Sequence, residues 1–374
     1  MKPDLRKKQT NLAMLLQERG PRITEIAREL GESPETVRYW FKNNILAHKG
    51  IAYQAVPNYT GLGFTRIRAV IDFADEYLAH AKDILISMNR LCFLSHYDRV
   101  FPSGYYSIIL TVPSNHERQY AKLLESLQDT GMFRLLAVDH FDWIRTTPMK
   151  ARYFDFSQGR WDFDWSAIVN EKGKIPSINL NDSVNYDYED IRILEKLQVD
   201  ATRSLGEISR DLKIPYQLAY NHFGHITERG QISLYRITWP ATGPRSQEEL
   251  KAWQQHHAHM GVQCIVRNST ERESHELLTK MQRLPFSWAN GGSEGNFLAE
   301  LVIPLEYYSE TLQYLSEVFL EARGRTEFTI GDQANALSFT IPTQLYDKEA
   351  DAWTNNTDDT LARFKKLVLT VKGK

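Results

Sequence analysis

The chain has 374 residues, 42% of them hydrophobic and 25% charged, and its 47 acidic and 45 basic side chains leave a net charge of −2. That composition excludes fibrous and disordered classes and a general polyanion-binding protein, so any nucleic-acid contact must come from a local patch. Only two cysteines, Cys92 and Cys264, are present, which excludes a disulfide framework or a four-cysteine metal site; with no apolar run of about eighteen residues, a cytoplasmic protein without membrane contact is expected.

The first elements in chain order form a three-helix unit. Leu12, Leu15 and Leu16 mark a covering helix; Ile23, Ile26, Ala27 and Leu30 mark a second that breaks at Gly31; a third restarts at Ser33-Pro34-Glu35. Serine accepts an orphan amide, proline tolerates the first helical position, and glutamate suits the positive helix end. Val37 and Phe41 then face the core, leaving Thr36, Arg38, Tyr39 and Lys42 outward, with Lys49 in the following turn.

From Phe64 the periodicity changes. Strands are expected at 64–73, 92–100, 105–112 and 133–141, with helices at 75–88 and 116–127, in the order β-α-β-β-α-β. Helices cover one face of such a sheet, and the other, expected to be apolar, needs a second sheet as its cover. Residues 147–188 follow with Phe154, Phe156, Trp161, Phe163 and Trp165 alternating with Asp155, Asp162 and Asp164, a pattern that suits an aromatic strap on a domain surface.

The plan then repeats. LGEISRDLKIPYQLAYNHF, from Leu205, overlays the first helical pair at an offset of 182, pairing Ile26 with Ile208, Leu30 with Leu212 and Phe41 with Phe223. Ile191, Leu194 and Leu197 mark its covering helix, and Arg229-Gly230 turns into an alternating strand that reads as a wing carrying Arg236. A second β-α-β-β-α-β series spans 261–266, 271–281, 286–288, 297–303, 307–321 and 327–341, the last with a break, before a polar tail.

The helix from Pro34 to Lys42 is the leading functional candidate. It is a rod of groove width carrying cations, a hydroxyl and a phenol, so Arg38 can grip guanine or a phosphate and Ser33, Thr36, Lys42 and Lys49 can hold the backbone. Residues 1–50 hold ten basic and six acidic side chains, whereas residues 187–239 hold seven and eight, which makes the first copy the better duplex reader. In the second, Gln217, Tyr220 and Asn221 occupy the equivalent face, flanked by Arg229 and Arg236. Asp98, Ser103 and Gly104 in one sheet domain and Asn290, Ser293, Glu294 and Asn296 in the other form candidate small-ligand rims, although such residues also build ordinary turns.

ITEIARELGESPETVRYWF, VIDFADEYLAHAKDIL and IRILEKLQVDATRSLGEISRDL make the chain resemble a tandem member of the archaeal Lrp/AsnC group of transcription regulators. The resemblance implies an α+β fold with two winged helix-turn-helix domains alternating with two ferredoxin-like α/β sandwich domains. The expected domains are 1–57 and 187–242 for the winged helices, 58–146 and 243–346 for the ferredoxin-like domains, 147–186 for the connector and 347–374 for a C-terminal extension. It implies a recognition-helix role for Glu35, Thr36, Arg38, Tyr39 and Lys42, and by extension for Gln217, Tyr220 and Asn221. Double-stranded DNA is the expected partner, with contact to the transcription machinery and assembly through the sheet domains as a homodimer or an internal pseudo-dimer. No cofactor is expected, and any small-molecule effector is unidentified.

Rival readings are a protein-interaction scaffold with degenerate winged helices and a metal-dependent enzyme. His256, His257 and His259 cluster near Cys264, but adjacent histidines do not share a direction. His96-Tyr97-Asp98 and Asp139-His140-Phe141-Asp142-Trp143 offer acid and base types without a recognisable catalytic constellation, and the sequence is read as non-enzymatic.

Overall fold

The computed structural model describes residues 3–47, 51–171, 183–238, 259–322 and 324–372. Helices α1 (Pro3–Arg19), α2 (Ile23–Leu30) and α3 (Pro34–Trp40) close around Leu12, Leu16, Ile26, Ala27 and Val37, all essentially solvent-free. Gly31 ends α2 at φ 65°, where a left-handed residue satisfies the last carbonyls, and the Ser33 hydroxyl accepts the Thr36 amide to start α3. Beyond Trp40 the helix widens into a π turn, Phe41–Ile45, which buries Phe41 and Ile45.

Strand β1 (Ala52–Pro57) leads into β2 (Phe64–Phe73), α4 (Asp75–Leu78), α5 (Ala81–Cys92), β3 (Leu94–Phe101), β4 (Tyr106–Pro113), α6 (Glu117–Asp129), β5 (Phe133–Phe141) and β6 (Trp143–Thr146). The connector forms a hairpin, β7 (Phe154–Asp155) and β8 (Arg160–Trp161), then α7 (Trp165–Val169). The second copy supplies α8 (Tyr188–Val199), α9 (Leu205–Leu212), α10 (Tyr216–Glu228) and β9 (Ile232–Thr238). Then come β10 (His259–Ser269), α11 (Glu271–Met281), β11 (Ser287–Ser293), β12 (Gly295–Pro304), α12 (Tyr308–Val318) and β13 (Thr326–Ser338). The tail folds as a hairpin, β14 (Tyr346–Asp347) and β15 (Ala352–Trp353), followed by α13 (Thr357–Lys372).

The two sheet units share one antiparallel nine-stranded sheet in the order β5-β2-β4-β3-β13-β10-β12-β11-β6. Its two end strands are consecutive in the chain, separated by Asp142 alone, so the sheet closes on itself. The long β13 does the same job on the other side, pairing with β10 through Thr326–Gly331 and with β3 through Ile330–Ser338. Where a break was expected, β13 runs on as one strand that changes partner at Ile330–Gly331 and shifts register between Asp332 and Leu337. The two units are thereby joined through one continuous sheet.

The face expected to be apolar is charged instead. Arg68 is 0% exposed; its guanidinium donates to Gln263 (2.9 Å), Asp139 (3.1 Å), Thr329 (3.0 Å) and Glu327 (3.3 Å). Arg267 donates to Asp139 at 2.7 Å and Glu327 at 2.9 Å, and Ser107 donates to Gln263 at 2.9 Å. Burial alone would raise the Glu327 carboxyl, but Arg68 and Arg267 hold it below its ordinary range. The apolar residues of β2, Ile67, Ala69 and Ile71, point the other way toward the helices, as the two-residue period of a strand requires.

The tail repeats the connector at an offset of 192, with Phe154-Asp155 and Trp161 matched by Tyr346-Asp347 and Trp353. Each hairpin straps the opposite unit. Trp161 packs edge-on against Phe286 and Phe163 stacks on Tyr307 at 4.3 Å, whereas Trp353 wedges against Phe64 and Phe93 of the first unit at 5.2 and 5.5 Å. The aromatic connector is thus a strap, and the tail is its second copy.

Truncating Arg68 empties the centre of this buried network and leaves Asp139 and Glu327 to Arg267 and Gln263 to Ser107. Arg68→Ala should lower stability by about 3–5 kcal/mol through the cavity and the lost donors, whereas Arg68→Met, which refills most of that space and leaves the Arg267–Asp139 pair in place, should lose less, as read by urea denaturation.

Candidate functional site

Strands β1 and β9 pair antiparallel, so each helical unit contributes one strand to a ribbon lying between the helices and the closed sheet. On its helix side Tyr53 stacks on Tyr235 at 5.6 Å and donates its hydroxyl to the Leu16 carbonyl. On the opposite side, Gln54 stands across from Arg236, facing the sheet. The expected wing is therefore an inter-unit strand, and Arg236, assigned from sequence to a duplex surface, is 8% exposed.

Arg236 lies 3.8 Å over the Trp288 ring, donates to the Trp288 carbonyl at 3.3 Å, and has no partner for Nε. Among the described residues no carboxylate pairs with it, and burial pulls its pKa down to about 10. It faces a chamber of about 140 Å³ whose sheet side carries Arg66, His96, Asp98 and Glu300. Arg66 pairs with Glu300 at 2.5 Å and keeps Nε unpartnered. Asp98 is 2% exposed; its Oδ2 is 3.9 Å from His96 Nε2 and its Oδ1 has no partner. His96 Nδ1 is fixed 2.8 Å from the Ser338 hydroxyl. Tyr59, whose phenol burial raises despite nearby cations, accepts from Gln198 at 3.0 Å at the chamber wall.

The chamber is one-sided. Strand register makes Gly261 the counterpart of Arg66, Ala289 that of His96 and Gly291 that of Asp98. Asp98 also depends on a missing side chain, since a Cβ at Gly331 would come within 2.1 Å of its Oδ2.

A larger cleft of about 790 Å³ adjoins it and shares Pro57 and Thr146 as lining residues. Its walls combine Met14, Trp143 and Leu234 with Arg145, Lys150 and Arg152. Burial lowers the pKa of both Arg145 and Lys150; Lys150 and Arg152 share Glu171.

The remaining sequence-derived candidates separate into groups. Glu35, Arg38, Tyr39 and Lys42 are exposed on one helical face, with Arg38 3.4 Å from Glu35; Thr36 and Ser33 hydroxyls are 3.0 Å apart at the cap. Gln217, Tyr220, Asn221 and Arg229 are exposed on the second unit, where Gln217 donates to Asn221. Lys49, His256 and His257 lie outside the described residues.

The two ligand rims do not assemble. Asp98 faces the chamber while Ser103 and Gly104 form the β3–β4 turn, Ser103 bonding the Val100 carbonyl. Asn290 is buried against Thr147, Ser293 donates to the His140 carbonyl, and Glu294 and Asn296 belong to the β11–β12 turn region. Sequence reasoning missed Arg66, Tyr59 and Glu300. The signal available was the spacing of His96 and Asp98, two residues apart on a strand and therefore on one face.

No protein-family model and no curated protein matches the sequence. Among solved structures, the crystal structure of the siroheme decarboxylase NirDL matches 98% of this chain and 100% of its own at 10% identity and a TM-score of 0.52. The same protein in complex with an iron-uroporphyrin III analogue matches 96% and 99%, again at 10% identity and 0.52. A transcriptional regulatory protein of the AsnC family from Pyrococcus furiosus matches 40% of this chain and 96% of its own, at 20% identity and a TM-score of 0.27. The chain thus has the α+β fold of NirDL, helix-turn-helix units alternating with ferredoxin-like units, from end to end. The non-enzymatic reading is corrected by the same finding, because these two structures, which match 98% and 96% of the chain, are those of an enzyme.

Gly331→Ala forces the Asp98 carboxylate from its seat. It should cost about 1–3 kcal/mol of overpacking strain in guanidinium denaturation, and Asp98→Ala in the same chain should recover most of that loss.

Proposed function

We propose that the chain is an enzyme acting on a carboxylate-bearing small molecule in the chamber beneath the β1–β9 ribbon, with decarboxylation as its reaction class. The observation that carries this is Arg236, a buried guanidinium without a carboxylate partner among the described residues, facing a small chamber that also holds Arg66, His96 and Asp98. An uncompensated buried cation is costly, and an anionic ligand relieves that cost. The end-to-end fold likeness to siroheme decarboxylase NirDL supports the reaction class.

The chamber has the scale of a cavity that takes benzene, roughly 150 Å³, so it suits one acid arm rather than a macrocycle. The adjoining cleft suits the body of a tetrapyrrole, with apolar walls for the rings and Arg145, Lys150 and Arg152 for outer carboxylates. Arg236 and Arg66 orient the arm's carboxylate. Its C–C bond breaks, CO₂ leaves, the electron pair passes into the conjugated ring, and His96 returns a proton to the carbon while Asp98 stabilises the imidazolium.

Titration of the full chain with uroporphyrin III and its iron complex, followed by mass spectrometry for CO₂ loss, tests this reading. Wild type should bind and Arg236→Ala should bind at least about tenfold more weakly; His96→Ala should retain binding and lose turnover. Equal affinity in wild type and Arg236→Ala would overturn it.

A second reading, sequence-specific duplex binding in the manner of Lrp/AsnC regulators, is supported by the free face of α3, where the Arg38 and Glu35 side chains are 59% and 78% exposed. Duplex affinity should then fall steeply with salt, and Arg38→Ala plus Lys42→Ala should flatten that slope by about two and relax sequence preference. An unchanged slope in the variant removes α3 from this role.

A further inference from the structure

The second helical unit holds a cluster that the chamber does not use. Asp190 on α8 is fully buried; its Oδ2 accepts Gln231 Nε2 at 2.8 Å and its Oδ1 lies 2.7 Å from His222 Nδ1 on α10. His225 follows one turn later, with ring centroids 5.5 Å apart. One potential donor atom from each of Asp190, His222 and His225 lies within 4.8 Å of the others.

Two buried atoms in this cluster lack partners. His225 Nδ1 is buried and unbonded, as is Oε1 of the fully buried Gln231. A hydrogen-bonded His–Asp pair needs only His222 and leaves both atoms unexplained. We propose that Asp190, His222 and His225 form a divalent transition-metal site, with Zn²⁺ as the favoured ion for two imidazoles and one carboxylate. At metal–ligand distances of about 2.0–2.2 Å, tetrahedral donors stand about 3.3 Å apart. The His222–Asp190 contact therefore opens by a few tenths of an ångström as the shared proton leaves. The fourth position falls to a water, which can donate to Gln231 Oε1, or to Asp187, whose Oδ1 is 3.5 Å from His222 Nδ1.

The first helical unit shows that the fold does not require this set. At the same offset of 182, Lys8, Trp40 and Asn43 replace Asp190, His222 and His225, and the Lys8 ammonium sits 5.9 Å from the Trp40 ring centre. One copy carries a cation and the other a cation-binding set, at the same joint between covering helix and third helix. Metal binding would tie α10 to α8 and fix the second unit's exposed helix.

The test uses the full chain stripped with a chelator and titrated with Co²⁺, read by its visible absorption, then with Zn²⁺ in competition. One ion per chain is expected, with a rise in melting temperature. His222→Ala and His225→Ala should each weaken Zn²⁺ by at least about tenfold, with far-ultraviolet circular dichroism confirming the fold. Replacing His256, His257 and His259 by alanine should change neither stoichiometry nor affinity. Absence of stoichiometric binding by wild type, undiminished affinity in both folded His222 and His225 variants, or loss of binding in the triple variant would each overturn the assignment.

Discussion

A guanidinium with no access to water governs this molecule. Arg68 could not be buried on an isolated sheet unit, since its partners Gln263, Glu327 and Thr329 come from the other half of the chain. Removing such a charge from solvent costs several kcal/mol unless its donors are satisfied. The two units are thus bound to meet face to face in one register. From that registration follow the change of partner along β13, the return of β6 to the far edge, and the crossing straps that lock Trp161 and Trp353 onto opposite units.

The ribbon of β1 and β9 joins two surfaces that the fold keeps apart. Its tyrosine side belongs to the helix layer, and its Gln54–Arg236 side belongs to the chamber. One pair of strands thus touches both the helix layer and the chamber. The same architecture is compatible with catalysis and with duplex contact, so function has to be argued from side chains rather than from topology.

Much of the fold was legible because it rests on local periodicity. Phe64–Phe73 reads as a strand from alternation and is one; Ser33-Pro34 reads as a helix start and is one; the repeat at 182 aligns the helical cores. Partner exchange was not legible, because a strand that pairs with one neighbour and then another looks like a strand with a break. The charged interior was hidden for a related reason. Arg66 and Arg68 alternate with Ile67 and Ala69 as solvent-facing residues would, and only the opposing sheet turns that face inward. The site suffered most. Arg236 shares the pattern of an exposed wing residue, and its burial depends on a strand from the other copy, far away in sequence. The repeat of Phe154-Asp155…Trp161 in Tyr346-Asp347…Trp353 was present in the sequence, obscured by the polar residues around it.

The unequal walls of the chamber have a consequence for how such a protein can evolve. Two identical subunits around a two-fold axis must present every group in duplicate, so a ligand there meets a symmetric cage and either binds in two equivalent poses or is itself symmetric. Joining the halves in one polypeptide lifts that restriction. With Gly261, Ala289 and Gly291 as the counterparts of Arg66, His96 and Asp98, and Gln54 set across from Arg236, each of these charged groups is present once instead of twice. Fusion thereby turns an axis of symmetry into a pocket with a front and a back, able to fix the handedness of whatever enters it.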